Sequence, residues 1–138
     1  DTVLPDSDDI LNMFQNQEAV GVSSAHSLYD PTKDSAIQAW RKRVNDMLPI
    51  GKSAVLGGGK NRLIKCLQSM EEHVVGPYLT GDSVTTADCH AFPFLWRLDN
   101  EYGLNRGCKC PKLADWVARC AKEPSFKKTI QRSWWWWW

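Results

Sequence analysis

The sequence is short of most features that mark specialised chains, and each shortage excludes something. No run of about 18 apolar residues occurs among its 138, so no transmembrane helix is expected. Charge of one sign is not in excess: 17 Lys and Arg face 16 Asp and Glu, a formal net charge of +1. Nucleic-acid binders normally carry a clear basic surplus, so no nucleic acid partner is expected. No stretch alternates apolar and polar residues long enough for a strand, and no internal repeat is evident. No basic-then-apolar leader precedes Asp1, so any targeting segment is expected to have been removed or never present. Cysteines are few and odd in number: Cys66, Cys89, Cys108, Cys110 and Cys120. Their spacing is not a disulfide framework, which points to a reducing compartment.

What is there suits one globular domain, with 43% hydrophobic residues. The apolar residues recur at helical spacing. A first helix is expected from Ser7 to Gln15, capped by Asp6 or Ser7, with Ile10, Leu11 and Phe14 on one face. Residues 16–31 read as a polar linker. A second helix is expected from Thr32 to Leu48, carrying Ile37, Trp40, Val44 and Met47, and stopped by Pro49 with Gly51. The glycine-rich stretch Gly51 to Lys60 reads as a flexible loop. A third helix, Asn61 to Val75, carries Leu63, Leu67 and Met70. A fourth starts near Thr86, with Ala91, Leu95 and Leu98 on one face and a kink expected at Pro93. A fifth runs from Pro111 to Lys122 and a short sixth from Ser125 to Ile130. The fold class is all-α: a bundle of five or six helices.

Among local motifs, Thr85 and Asp88 have capping-box spacing, which serves folding rather than chemistry. Cys110 precedes Pro111 at a helix start, where the helix dipole and Lys109 and Lys112 would lower a thiol pKa. No His or carboxylate partner is placed beside it, so no catalytic residue is assigned. Cys108 and Cys110 with Cys89 or His90 make a poor zinc spacing, and no metal is expected. Cys66, Cys89 and Cys120 read as buried, inert thiols. Two glycine-lysine stretches fail as phosphate loops, because Asp46 and Ala54 stand where glycine is needed. His26 and His73 read as surface or structural histidines.

The ends differ from the middle. Residues 1–30 hold six acids and no Lys or Arg, whereas residues 105–133 hold eight bases and two acids. Trp134, Trp135, Trp136, Trp137 and Trp138 then close the chain. Five adjacent indoles suit an interface: a partner protein, a membrane surface or an aromatic cofactor. The competing reading is a low-complexity end without function.

Several motifs together resemble one family. They are Gly76-Pro77-Tyr78-Leu79-Thr80-Gly81, the Thr85–Asp88 box, Cys110-Pro111-Lys112-Leu113-Ala114-Asp115-Trp116, and Glu123-Pro124-Ser125-Phe126. This set resembles the C-terminal helical domain of the glutathione transferase superfamily. Pro93 and the stretch Glu123 to Thr129 are most similar to the dehydroascorbate reductase subgroup. Leu4-Pro5-Asp6-Ser7-Asp8-Asp9-Ile10 resembles the last strand-to-helix turn of the family's thioredoxin-like domain. That likeness implies that Asp6 and Ser7 bind the γ-glutamyl end of glutathione; the competing reading is a plain helix cap.

The resemblance covers residues 1–15 and 60–130. The expected organisation is a thioredoxin-like remnant at 1–15, a linker at 16–31, a helical domain at 32–133 and a Trp tail at 134–138. The part of the family that carries its nucleophile and cis-proline is missing, so glutathione is expected only together with that part. The leading expectation is a non-catalytic binding or structural module, an accessory subunit attached to protein partners through its termini. The alternative is the C-terminal portion of a glutathione-dependent dehydroascorbate reductase or transferase. Trp96, Arg97 and Tyr102 would then line the second-substrate pocket. The subgroup implies a plastid or the cytoplasm.

Overall fold

The computed structural model describes residues 28 and 30–130. The expected helix at Ser7–Gln15, the remnant 1–15, Asp6, Ser7, His26 and the Trp tail lie outside the described residues. Within them the chain is all-α. It forms a short 3-10 turn, Pro31–Lys33, and five helices: α1 (Asp34–Val55), α2 (Lys60–Glu71), α3 (Thr86–Tyr102), α4 (Pro111–Cys120) and α5 (Pro124–Thr129). The described residues hold no strand, only an isolated bridge between Tyr78 and Gly81.

The Asp30 carboxylate starts the bundle. It accepts from the Thr32 N–H at 2.9 Å and from the Thr32 hydroxyl at 2.6 Å, turning the chain into α1. Helix α1 packs against α2 and α3, α3 against α4, and α2 against α4. Ile37, Val44, Leu63, Leu67, Leu95 and Trp116 are fully enclosed at the centre.

Helix α1 overturns one expectation. Pro49 and Gly51 do not stop it; it continues to Val55. An interior proline costs a helix roughly 3 kcal/mol. The buried stripe Val44, Met47, Gly51 and Ala54 runs straight past Pro49, and burying it outweighs that local cost. The expected flexible loop at Gly51–Lys60 contracts to a tight turn. Gly57 sits at φ 94, its N–H bonds to the Ala54 carbonyl at 3.1 Å, and the Gly58 N–H bonds to the Ser53 carbonyl at 2.9 Å. That pair of bonds is a Schellman cap, which needs a left-handed residue after the helix. Helix α2 ends at Glu71, short of the expected Val75, and turns through Glu72 and His73.

Helix α3 begins at Thr86 as expected and is continuous through Pro93, whose exposed side leaves the buried face intact. Gly103 ends it at φ 67. The following loop folds tightly under the helix end: the Leu104 N–H bonds to Asp99 Oδ1 at 2.8 Å, and a Cβ on Gly107 would overlap the Tyr102 carbonyl. Helix α4 starts at Pro111 as expected. Its free N–H groups are capped from another helix: Glu71 accepts from Lys112 at 2.7 Å and from Leu113 at 2.8 Å. Phe126 of α5 packs on Phe92 of α3 with ring centroids 4.8 Å apart.

Candidate functional site

Helix α3 organises both halves of the molecule. Its first turn is closed around a fully bonded carboxylate, while the buried Thr86 hydroxyl beside it has no hydrogen-bond partner among the described residues. The Thr85–Asp88 capping box is formed, with Asp88 Oδ2 accepting from the Thr85 N–H at 2.8 Å and from the Thr85 hydroxyl at 3.0 Å. Oδ1 accepts from the Leu79 N–H at 3.0 Å and from Trp116 Nε1 at 2.8 Å. Asp88 is fully buried, and these four donors replace water around its carboxylate. The Leu79 carbonyl in turn accepts from Trp40 Nε1 at 3.0 Å. The loop carrying Leu79 is thereby pinned to α1, α3 and α4 together. These are structural contacts, the role the capping-box spacing implies.

One to two turns later α3 opens. A cavity of about 1000 Å³ lies between α3 and α5, with walls of Phe92, Phe94, Trp96 and Phe126 among others. Leu28 and Ile130, the first and last described residues, both line it. A second cavity of about 470 Å³ lies on the other side, between α3 and the C-terminal turns of α1, and includes Leu48, Val55 and Leu56. Val55 and Leu56 are exposed apolar residues there. Pro93, Phe94 and Arg97 border both cavities. The Arg97 guanidinium is held by Glu101 one turn on, with Nε 2.6 Å and Nη2 2.5 Å from Oε1. The arrangement offers aromatic faces with one oriented guanidinium, a combination suited to a flat apolar group that carries negative charge.

The residues expected to line a second-substrate pocket are only partly brought together. Trp96 and Arg97 line the larger cavity. Tyr102 lines neither; its ring lies under Lys60 Nζ at 5.3 Å, at the far end of α3. Sequence reasoning missed Phe92 and Phe126 as walls. Their pairing joins segments far apart in the chain, and the only local signal was Phe126 following Pro124 at the start of a short helix.

The thiols behave differently from the expectation for Cys110. Burial pushes the Cys110 thiol up to about 12, and the Glu71 carboxylate and Cys108 beside it push the same way. Glu71 already occupies the N-terminus of α4, so the helix dipole is spent on that carboxylate rather than on a thiolate. Burial also pushes Cys120 up to about 12 and Cys89 to about 11, with Asp88 contributing next in both. Burial raises Cys66 and Cys108 as well. All five cysteines carry free thiols. Among the described residues no group of three His, Cys, Asp or Glu is placed to hold a metal ion. His90 Nε2 lies 3.0 Å from Asn45 Oδ1, tying α3 to α1.

A family model described as glutathione S-transferase, C-terminal domain, matches residues 34–119, more than half of the chain. The match spans α1 to the last turn of α4 and so includes the α3 wall of both cavities. No curated protein and no solved structure matches.

Proposed function

Since the chain belongs to the family of glutathione S-transferase C-terminal domains, as the match over residues 34–119 shows, we propose that it acts as a non-catalytic binding module on that scaffold. It is read as an accessory component, in a plastid or the cytoplasm, that holds an apolar or aromatic group of a partner. The observation that carries this reading is the cavity of about 1000 Å³ between α3 and α5, with its aromatic walls and Arg97. The raised thiols of Cys110 and Cys120 support it, because a buried, protonated thiol is a poor nucleophile near neutral pH. The acidic first 30 residues and the basic stretch 105–133 supply two further surfaces for protein partners.

The second reading is the C-terminal portion of a glutathione-dependent dehydroascorbate reductase or transferase. Trp96 and Arg97 at the cavity favour it, since a co-substrate pocket needs an apolar wall and an anion-binding group. In that reading Asp6 and Ser7 contribute one edge of a glutathione site.

Two measurements on the 138-residue chain test the leading reading. The first is turnover of dehydroascorbate with glutathione; none above the uncatalysed rate is expected, and turnover overturns the non-catalytic reading. The second is titration with anilinonaphthalene sulfonate, an aromatic anion, followed by fluorescence. Saturable binding at one site, weakened by Arg97→Met, is expected. Binding indifferent to Arg97 removes the cavity from the argument.

A further inference from the structure

We propose that the smaller cavity, between α3 and the C-terminal turns of α1, is a second binding site that takes an aliphatic carboxylate of fatty-acid type. It is separate from the α3–α5 cavity that carries the proposed function. The first support is Gly51, which is buried in the interior of α1 and lines the cavity. A glycine inside a helix is less favourable than an alanine, so its presence needs a reason. Backbone conformation is not that reason, since Gly51 is not among the glycines with positive φ. Close packing of helices is not the reason either. A Cβ added there would meet Met47 Sδ at 3.4 Å, an ordinary contact on its own helix. Among the described residues no atom of another helix lies within 4 Å of that point. The missing side chain leaves space, and that space belongs to the cavity.

The second support is the character of the walls. Leu48, Val55, Leu56 and Leu98 make them mainly aliphatic, whereas aromatic rings dominate the larger cavity. Aliphatic walls accept a flexible hydrocarbon chain without asking for a flat ring. Val55 and Leu56 are 42% and 63% exposed, and such apolar surface gains free energy when a ligand covers it. A volume of about 470 Å³ is that of a small-molecule site.

The third support is charge. Lys52 and Arg97 border the cavity, and no Asp or Glu does. Lys52 is exposed, so its ammonium stands where the cavity meets solvent. Arg97 is held in place by Glu101. A carboxylate head at the mouth meets these cations, Lys52 first, while the chain behind it lies against Gly51.

The test titrates the 138-residue chain with decanoate, below its micellar concentration, by calorimetry. Saturable binding at one site is expected. Decanol has the same chain without the charge and is expected to bind about fivefold to tenfold more weakly. Affinity is expected to rise about fourfold per added methylene from octanoate to decanoate. Gly51→Leu fills the cavity from α1 and is expected to abolish decanoate binding with unchanged far-UV circular dichroism. Lys52→Glu is an exposed change that reverses the charge at the mouth. It is expected to weaken decanoate about tenfold, and it carries the test if Gly51→Leu does not fold. Gly51 does not line the α3–α5 cavity, so Gly51→Leu is expected to bind anilinonaphthalene sulfonate as the parent does. Absence of saturable decanoate binding overturns the proposal, and the proposed function still stands if anilinonaphthalene sulfonate binds. Decanol as tight as decanoate, or decanoate indifferent to Lys52→Glu, overturns the carboxylate assignment. Unchanged decanoate binding in a folded Gly51→Leu chain puts the ligand elsewhere and overturns the site. Dimers of the parent in light scattering that Gly51→Leu dissolves place a second copy on this face and overturn it equally.

Discussion

The first turn of α3 and the turns around Pro93 belong to one helix, yet they are built on opposite principles. Around Asp88 every polar atom of the carboxylate has a partner, and the side chain has no contact with solvent. Around Phe94 the helix has cavities on both sides and a guanidinium at their shared border. A fully satisfied buried network holds one arrangement and loses stability when any member is removed. Open apolar walls gain free energy only when something covers them. One half of the helix therefore maintains the fold, and the other is available for binding.

The sharpest way to break this contrast is at Asp88. Asp88→Ala leaves two backbone N–H groups and the Trp116 indole N–H buried without acceptors, and each orphan costs on the order of 1–3 kcal/mol. The combined loss is expected to be about 4 kcal/mol, a large share of the stability of a small domain. Urea denaturation followed by far-UV circular dichroism measures it. A loss below about 1 kcal/mol would show that the network is not what holds the loop at Leu79.

The next effect comes from the buried thiols and depends on pH. Unfolded thiols ionise near about pH 8.5. In the fold Cys110 and Cys120 hold their protons to about 12 and Cys89 to about 11. Below about pH 8.5 both states keep these protons and the thiols add no pH dependence. Above it only the unfolded chain releases them, so stability falls as pH rises and goes on falling towards the folded values. Urea midpoints at rising alkaline pH should decline steadily, with a shallower slope in Cys110→Ala. A flat profile would mean that the thiols are not enclosed as described.

How far the sequence spoke depends on the range of the forces involved. The starts of α3 and α4 were legible because Thr85, Asp88 and Pro111 act on their immediate neighbours. The end of α1 was not, since the burial of Gly51 and Ala54 against other helices overrides the local signal of Pro49. The triple glycine read as a flexible loop, and the tight helix cap that it forms depends on bonds back to Ser53 and Ala54 that the sequence did not announce. Of the three residues expected at a pocket, Trp96 and Arg97 line the larger cavity, while Tyr102 follows the helix away from it. The Cys110 expectation failed for a tertiary reason: a carboxylate from α2, 39 residues earlier in the chain, took the helix end that a thiolate would have used.

Glu71 supplies a smaller and more local test. Its two oxygens cap α4 from outside, so Glu71→Ala is expected to cost about 1 kcal/mol, within the range for lost helix caps. Glu71→Gln keeps one acceptor and loses the charge facing the helix N-terminus, so it should fall between. Thermal melts of the three chains rank them. An alanine variant as stable as the parent would mean that solvent caps α4 equally well.

The smallest expected change in stability is at Arg97, and it tests the open half of α3 directly. Lys42–Asp46 and Arg97–Glu101 share the same spacing along a helix, but the first pair is exposed, at 77% and 64%, and the second is partly enclosed, at 15% and 31%. An exposed pair of this kind contributes roughly 0.3–0.5 kcal/mol, and partial enclosure adds desolvation cost along with attraction. Arg97→Met keeps most of the apolar stem that borders the cavities and removes the charge. Its effect on stability is therefore expected to stay within about 1 kcal/mol. Its effect on binding should be larger in proportion: removing one charge-assisted contact weakens an aromatic anion by about fivefold to tenfold. If unfolding and binding instead lose the same free energy, Arg97 acts on the fold as Asp88 does, and the two halves of α3 are not separate in purpose.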